Sequence, residues 1–112
     1  MAEPRSRASA AGAATAEALV DALQPFGAVS ARRMFGGWGV FESGTMFALV
    51  DREGDAYLRA DEALIVALEA EGSTRFQRMP YWSVPADALD DDVALLDWAT
   101  RALAVARAAK RS

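Results

Sequence analysis

Between Val29 and Ala60 the chain alternates short apolar runs with glycine-bearing turns. VSARRMF precedes Gly36-Gly37, WGVF precedes ESGT, MFALV precedes DREGD, and AYLRA follows. Each run is too short for a stable helix and is rich in residues that suit a pleated sheet. Glycine at each junction lets the backbone reverse. The spacing predicts three consecutive antiparallel strands at about 29–35, 38–42 and 45–51, and a fourth at 56–60. Met46 to Val50 are apolar at every position, which predicts a central, covered strand. Alternation puts Tyr57 and Arg59 on one side of the fourth strand and Leu58 on the other.

Helical periods flank this block. Residues 1–14 are small and polar and are expected to form a flexible tail, leaving one domain over 15–112. A first helix is predicted from Thr15, with Leu19, Val20, Leu23 and Phe26 on one stripe and Pro25 and Gly27 as its stop. Asp61 stands where an N-cap belongs, ahead of a helix buried through Leu64, Ile65 and Leu68 and stopped at Gly72. TRFQRM and YWSV flank Pro80 and read as one short edge strand or two that barely pair, because proline cannot donate to a ladder. Asp90, Asp91 and Asp92 open a last helix over about 90–109. Its apolar face is predicted as two seams: Val93, Leu96, Thr100 and Leu103, and Leu95, Trp98, Ala102 and Val105. The order α-β-β-β-β-α-β(β)-α predicts an α+β fold: an antiparallel sheet of about five strands with helices packed on it.

Composition narrows the chemistry. The 112 residues are 53 % hydrophobic, enough for one core but not for two domains. The absence of Cys and His removes disulfides, thiolate nucleophiles, the usual zinc sites and the usual proton shuttle. Ser30, Ser43, Ser73 and Ser83 lack a His partner. Glu42, Asp51, Glu53 and Asp55 fall near turns, where no apolar pocket is expected to shift them. The chain is therefore expected not to be an enzyme, with no catalytic residue and no cofactor. Asp90–Asp92 lack the alternating spacing of a calcium loop and read as helix-end residues, so no metal is expected. The net charge of −4 argues against direct DNA binding. No run has the length of a membrane span or a signal peptide, and the expected location is the cytoplasm, with no membrane partner.

Two stretches stand out as binding candidates. Arg32, Arg33, Met34, Phe35, Gly36 and Gly37 combine two cations with a glycine pair that another backbone could approach closely. The same residues also satisfy a plain β-turn, with one arginine in solvent and the other covering sheet surface. A phosphate loop is a poor fit, because such loops feed a helix and this one feeds a strand. Trp38, Tyr81 and Trp82 could form an aromatic platform, although large aromatics in a small domain are mostly core. Alternation sends Tyr81 and Trp82 to opposite faces, so one deeply buried ring and one available for interaction are expected.

ARRMFGGWGVF…GTMFALV…AYLRADE over 31–62 resembles the TfoX N-terminal domain family, the front half of the bacterial TfoX/Sxy competence regulators. The likeness continues through EGSTRF, MPYWSVP and LDWATRAL and covers roughly 15–108. It departs from the family between Phe76 and Tyr81, where relatives carry a longer stretch with a Gly-Lys turn and this chain has only Gln77–Pro80. The resemblance implies a small α+β, secretion-chaperone-like fold. It also implies a regulatory role, since full-length members assist the cyclic-AMP receptor protein at competence promoters and carry a second, helical domain. The expectation is a non-catalytic module for a protein partner such as a transcription regulator, binding through Arg32–Trp38 and Tyr81-Trp82. The alternative is binding of a small anionic ligand or single-stranded nucleic acid at the same residues. A homodimer is compatible with either.

Overall fold

The computed structural model describes residues 4–34 and 36–111. Five strands form one antiparallel meander in the order β1-β2-β3-β4-β5: β1 (Val29–Met34), β2 (Gly37–Glu42), β3 (Thr45–Val50), β4 (Ala56–Arg59) and β5 (Tyr81–Ser83). Four helices accompany them: α1 (Pro4–Ala22), α2 (Glu62–Ala70), α3 (Ala86–Leu89) and α4 (Asp92–Arg111). The α+β class and the element order match expectation, and the predicted strands lie within a residue or two of the observed ones. Among the described residues no helix is long and apolar enough to cross a membrane.

Cross-strand register shows why the sheet has two unlike faces. Residues paired across strands share a face. The row Ala31–Val40–Ala48–Leu58–Trp82 therefore lies on one face, and the row Arg32–Gly39–Leu49–Tyr57–Ser83 on the other. Val40, Ala48, Leu58 and Trp82 join the core cluster with Leu19 and Leu23 of α1, Leu64 and Leu68 of α2, and Leu95 and Leu103 of α4. The helices thus cover the first face. The register slips between Val40 and Phe41, leaving Phe47 without a facing residue on β2. A bulge of this kind turns two neighbours toward the same side. Phe47 and Ala48 accordingly both belong to the core, at 0 % and 1 % exposure.

Four expectations need correction. Helix α1 begins at Pro4 rather than near Thr15, so residues 4–14, expected as tail, are helical, while residues 1–3 lie outside the described residues. Gly12 packs on Trp38, and the Thr15 hydroxyl donates to the Gly54 carbonyl at 2.8 Å. The predicted last helix is two: α3 ends at Leu89, and the Asp91 carboxylate caps α4 by accepting from the Val93 and Ala94 amides at 3.0 and 3.2 Å. On α4 the buried residues are Leu95, Ala99, Ala102, Leu103 and Ala106, whereas Val93 and Thr100 of the first predicted seam are exposed. Finally, Tyr81 and Trp82 do point to opposite faces, yet both are buried. The Trp82 indole sits in the core and donates to Glu69 Oε2 at 3.1 Å. Tyr81 lies beneath the Arg59 guanidinium, 5.9 Å from its ring centre. Neither ring is left as an exposed interaction residue.

The caps proposed from sequence are in place. The Asp61 carboxylate accepts from the Leu64 amide at 3.0 Å, and Gly72 ends the second helical segment with φ +93°. At the far end, Arg107 of α4 reaches Glu42 of β2 at 2.7 Å. That hydrogen bond, helped by one from Ser43, holds the Glu42 carboxyl below its ordinary value.

Candidate functional site

The face opposite the helices carries an apolar strip instead of a polar one. Phe41 pairs with Met46 on this face, Leu49 faces Tyr57, and Met34 faces Gly37. A Cβ on Gly39 would press on the Met34 thioether, on Phe41 Cε1 at 2.9 Å and on the Met46 sulfur at 3.3 Å. The missing side chain at Gly39 is therefore the space in which two methionines and a phenylalanine meet. At one end the strip opens into a groove of about 630 Å³. Met34, Met46, Leu49, Tyr57 and Phe76 supply apolar lining, and Gly36, Gly37, Asp51, Arg52, Arg75 and Gln77 border it.

Three loops build the groove, each locally braced. The β1–β2 turn passes through Gly36 at φ +76°, a conformation that side chains disfavour. The Arg52 guanidinium lies across this turn, 3.6 Å from where a Gly36 Cβ would stand. In the β3–β4 turn, Asp51 Oδ1 accepts from the Glu53 and Asp55 amides at 3.0 and 2.9 Å. The backbone of α1 at Ala11 comes against Gly54 of the same turn. The third loop is the short segment between Phe76 and Tyr81. Arg75 closes it, donating from Nε to the Met79 carbonyl and from Nη2 to the Arg78 carbonyl, each at 3.0 Å. Gln77 turns the chain at φ +51°, and the Phe76 ring packs on Tyr57 with centres 4.8 Å apart. The short loop thus delivers an aromatic wall to the groove, and Arg75 is spent on structure.

Tyr57 is the most perturbed polar group here. Its hydroxyl donates to Asp51 Oδ2 at 3.3 Å. Burial, then the Asp51 charge and hydrogen bond, then Asp55 and Glu53, push its pKa up to about 12. It stays a neutral donor at physiological pH rather than a base. Tyr81 is also raised, by burial, with Arg59 opposing. The chain has only these two tyrosines, so a spectrophotometric titration reads them directly. In a Tyr81→Phe background the remaining phenolate step should lie at about 12, and Asp51→Asn should move it down without restoring the ordinary value. A folded pKa above the unfolded one makes a stability contribution that is complete below about pH 10 and is lost as pH climbs through about 12. Phenolate developing at pH 10 in the folded protein would overturn this account.

The sequence-based candidates divide. Met34, Gly36, Gly37 and Trp38 all border the groove. Arg32 and Arg33 are exposed on opposite faces of β1 and each stacks on a β2 ring: Arg32 on Phe41 at 4.6 Å, Arg33 on Trp38 at 5.7 Å. Phe35 lies outside the described residues. Tyr81 and Trp82 sit on β5, three strands from Trp38, so the three rings form no common platform. Sequence reasoning missed Met46, Leu49, Tyr57 and Phe76 as a group. The period-2 alternation of β4 was the available signal for Tyr57, whereas β3 is apolar at every position from Met46 to Val50 and marks no face for Leu49, and nothing marks Phe76.

Among the described residues no group of three carboxylates converges as a metal site. The groove offers adaptable apolar contact between two thioethers, with polar groups only along its border. No curated protein matches the chain. The model of the TfoX N-terminal domain matches residues 21–106, which include all five strands and most of the helical layer. With that share of its length matched, the chain belongs to the TfoX N-terminal domain family.

Proposed function

We propose that this chain is a non-catalytic protein-interaction module that docks a partner on the open sheet face. The carrying observation is the apolar strip of this face, in which the half-buried Met34 and Met46 lie over the buried Phe41 and Leu49 and run into a groove of about 630 Å³ braced by three loops. Methionine-rich surfaces repack around apolar side chains of different shape, which suits recognition of a partner surface. Tyr57 held neutral and Arg75 committed to its own loop support a binding rather than a catalytic reading of the groove. The partner we favour is a transcription regulator in the cytoplasm, in keeping with the competence role of TfoX proteins.

The test is capture by the tagged chain from nuclease-treated host extract, using three proteins: wild type, Met46→Glu and Val93→Glu. Met46 is half-buried on the open face, and Val93 is 80 % exposed on the helical side. One protein retained in stoichiometric amount by wild type and Val93→Glu, and lost with Met46→Glu at an unchanged melting temperature, is the expected result. Equal retention by all three would place the docking surface elsewhere and overturn the reading.

A further inference from the structure

We infer that strand β1 is the recognition edge of this surface, and that its occupant is an extended, acidic segment of the partner, added as a sixth strand. This inference rests on the protein-interaction reading above and specifies how the partner is held.

The sheet has two ends, and they differ. β5 is three residues long, and its central residue Trp82 already forms a β-bridge with Arg75 on the outer side. β1 is six residues long, keeps an unbroken register with β2 from Val29 to Met34, and has a strand neighbour on one side only among the described residues. It contains no proline and no bulge, and the charges it does carry, Arg32 and Arg33, repel a cationic strand while admitting an acidic one. Its outer backbone groups can therefore pair with an incoming strand, the mode known as β-augmentation.

Side chains choose the occupant. Arg32 and Met34 both project on the open face, two residues apart. Arg32 is exposed, and its cross-strand row Arg32–Gly39–Leu49–Tyr57–Ser83 holds no carboxylate. The ion pairs of the described residues, Arg101–Asp97 and Arg107–Glu42, use neither Arg32 nor Arg33. An added strand would set a carboxylate opposite each arginine and an apolar side chain opposite Met34, at the mouth of the groove. A second copy fits less well. Facing residues share a face, so a two-fold β1 ladder must centre on one residue. Centring on Arg32 sets guanidiniums directly opposite, and centring on Ala31 sets them on the diagonal. Both crowd four arginines into one ladder without a carboxylate to separate them.

The probe is the acetylated, amidated hexapeptide Leu-Glu-Glu-Val-Thr-Val, written so that antiparallel addition puts Leu opposite Met34 and the two Glu opposite Arg33 and Arg32. Backbone amide shifts in the full chain are followed by two-dimensional NMR. Shifts should concentrate at residues 29–34. Replacing both Glu by Lys, or using Arg32→Glu, should weaken binding by about tenfold or more. Two further peptides carry N-methyl groups at alternate positions. Only one set points its N–H groups at β1, so only that set should abolish binding. Absence of shifts at 29–34 at millimolar peptide, or equal binding of both N-methylated peptides, would overturn strand addition. Broadening of residues 29–34 with protein concentration and no peptide would assign the edge to a second copy instead. A host partner lost with Met46→Glu but fully retained by Arg32→Glu would keep the docking face and remove the edge.

Discussion

Phe47→Ala is expected to destabilise the fold by about 3–5 kcal/mol, the usual cost of deleting a fully buried aromatic ring. Phe47 has no exposed surface and meets Phe26 edge to face, with centres 5.7 Å apart. It is the extra residue of the β3 bulge, so its ring enters the core beside Ala48 rather than alternating with it. Neighbouring Ala48 is too small to fill the space left behind. For a domain of this size such a loss lowers the melting temperature on the order of 15 °C. Val66→Ala is the matching control: Val66 is 70 % exposed on α2 and should change stability by less than about 0.5 kcal/mol. Urea unfolding of both variants checks the pair. A Phe47→Ala midpoint close to wild type would mean that the core does not depend on the bulge.

That bulge also shows where sequence reading stops. Strands β1 to β4 were legible because a glycine-bearing turn separates each from the next, and their observed bounds follow those turns. MFALV gives no hint that alternation slips inside it, since every residue is apolar. The helix over residues 4–14 was missed for a related reason. Alanine-rich sequence favours helix but has no apolar stripe to announce it, and its anchors are tertiary: Gly12 on Trp38 and Thr15 on Gly54. On α4 the large Val93 was expected inward and Ala99 was not considered, yet close packing of a helix on a sheet selects the small side chains Ala99, Ala102 and Ala106.

The candidate site was half legible on the same grounds. Met34, Gly36, Gly37 and Trp38 fall within five consecutive positions and were found together. Leu49, Tyr57 and Phe76 come from three separate segments and meet only because the meander and the Arg75-closed loop bring them there. Tyr81 and Trp82 looked like a functional pair because aromatic neighbours are conspicuous in sequence. Arg59 over one ring and Glu69 on the other account for both as structure.

Gly37→Ala should be costly both to the fold and to recognition. A Cβ at this position would overlap the Val50 carbonyl oxygen and stand 3.1 Å from the Asp51 Cα. Both obstacles are backbone, so no rotamer change relieves them; β2 must move away from β3 at the point where the β1–β2 turn begins. A destabilisation of about 2–3 kcal/mol is expected, at the upper end of overpacking costs. The groove borders at Met34, Gly36 and Arg52 move with the turn, so partner capture should fall as well. Gly39→Ala separates the two effects. Its obstacles are the Met34 and Met46 sulfurs and the edge of the Phe41 ring, all of which can shift. Its stability cost should be nearer about 1 kcal/mol, while the thioethers it displaces are the floor on which a partner would sit. Reduced capture by Gly39→Ala at nearly native stability would tie recognition to the open face. A Gly37→Ala variant within about 0.5 kcal/mol of wild type would show that the turn is not held by this close approach.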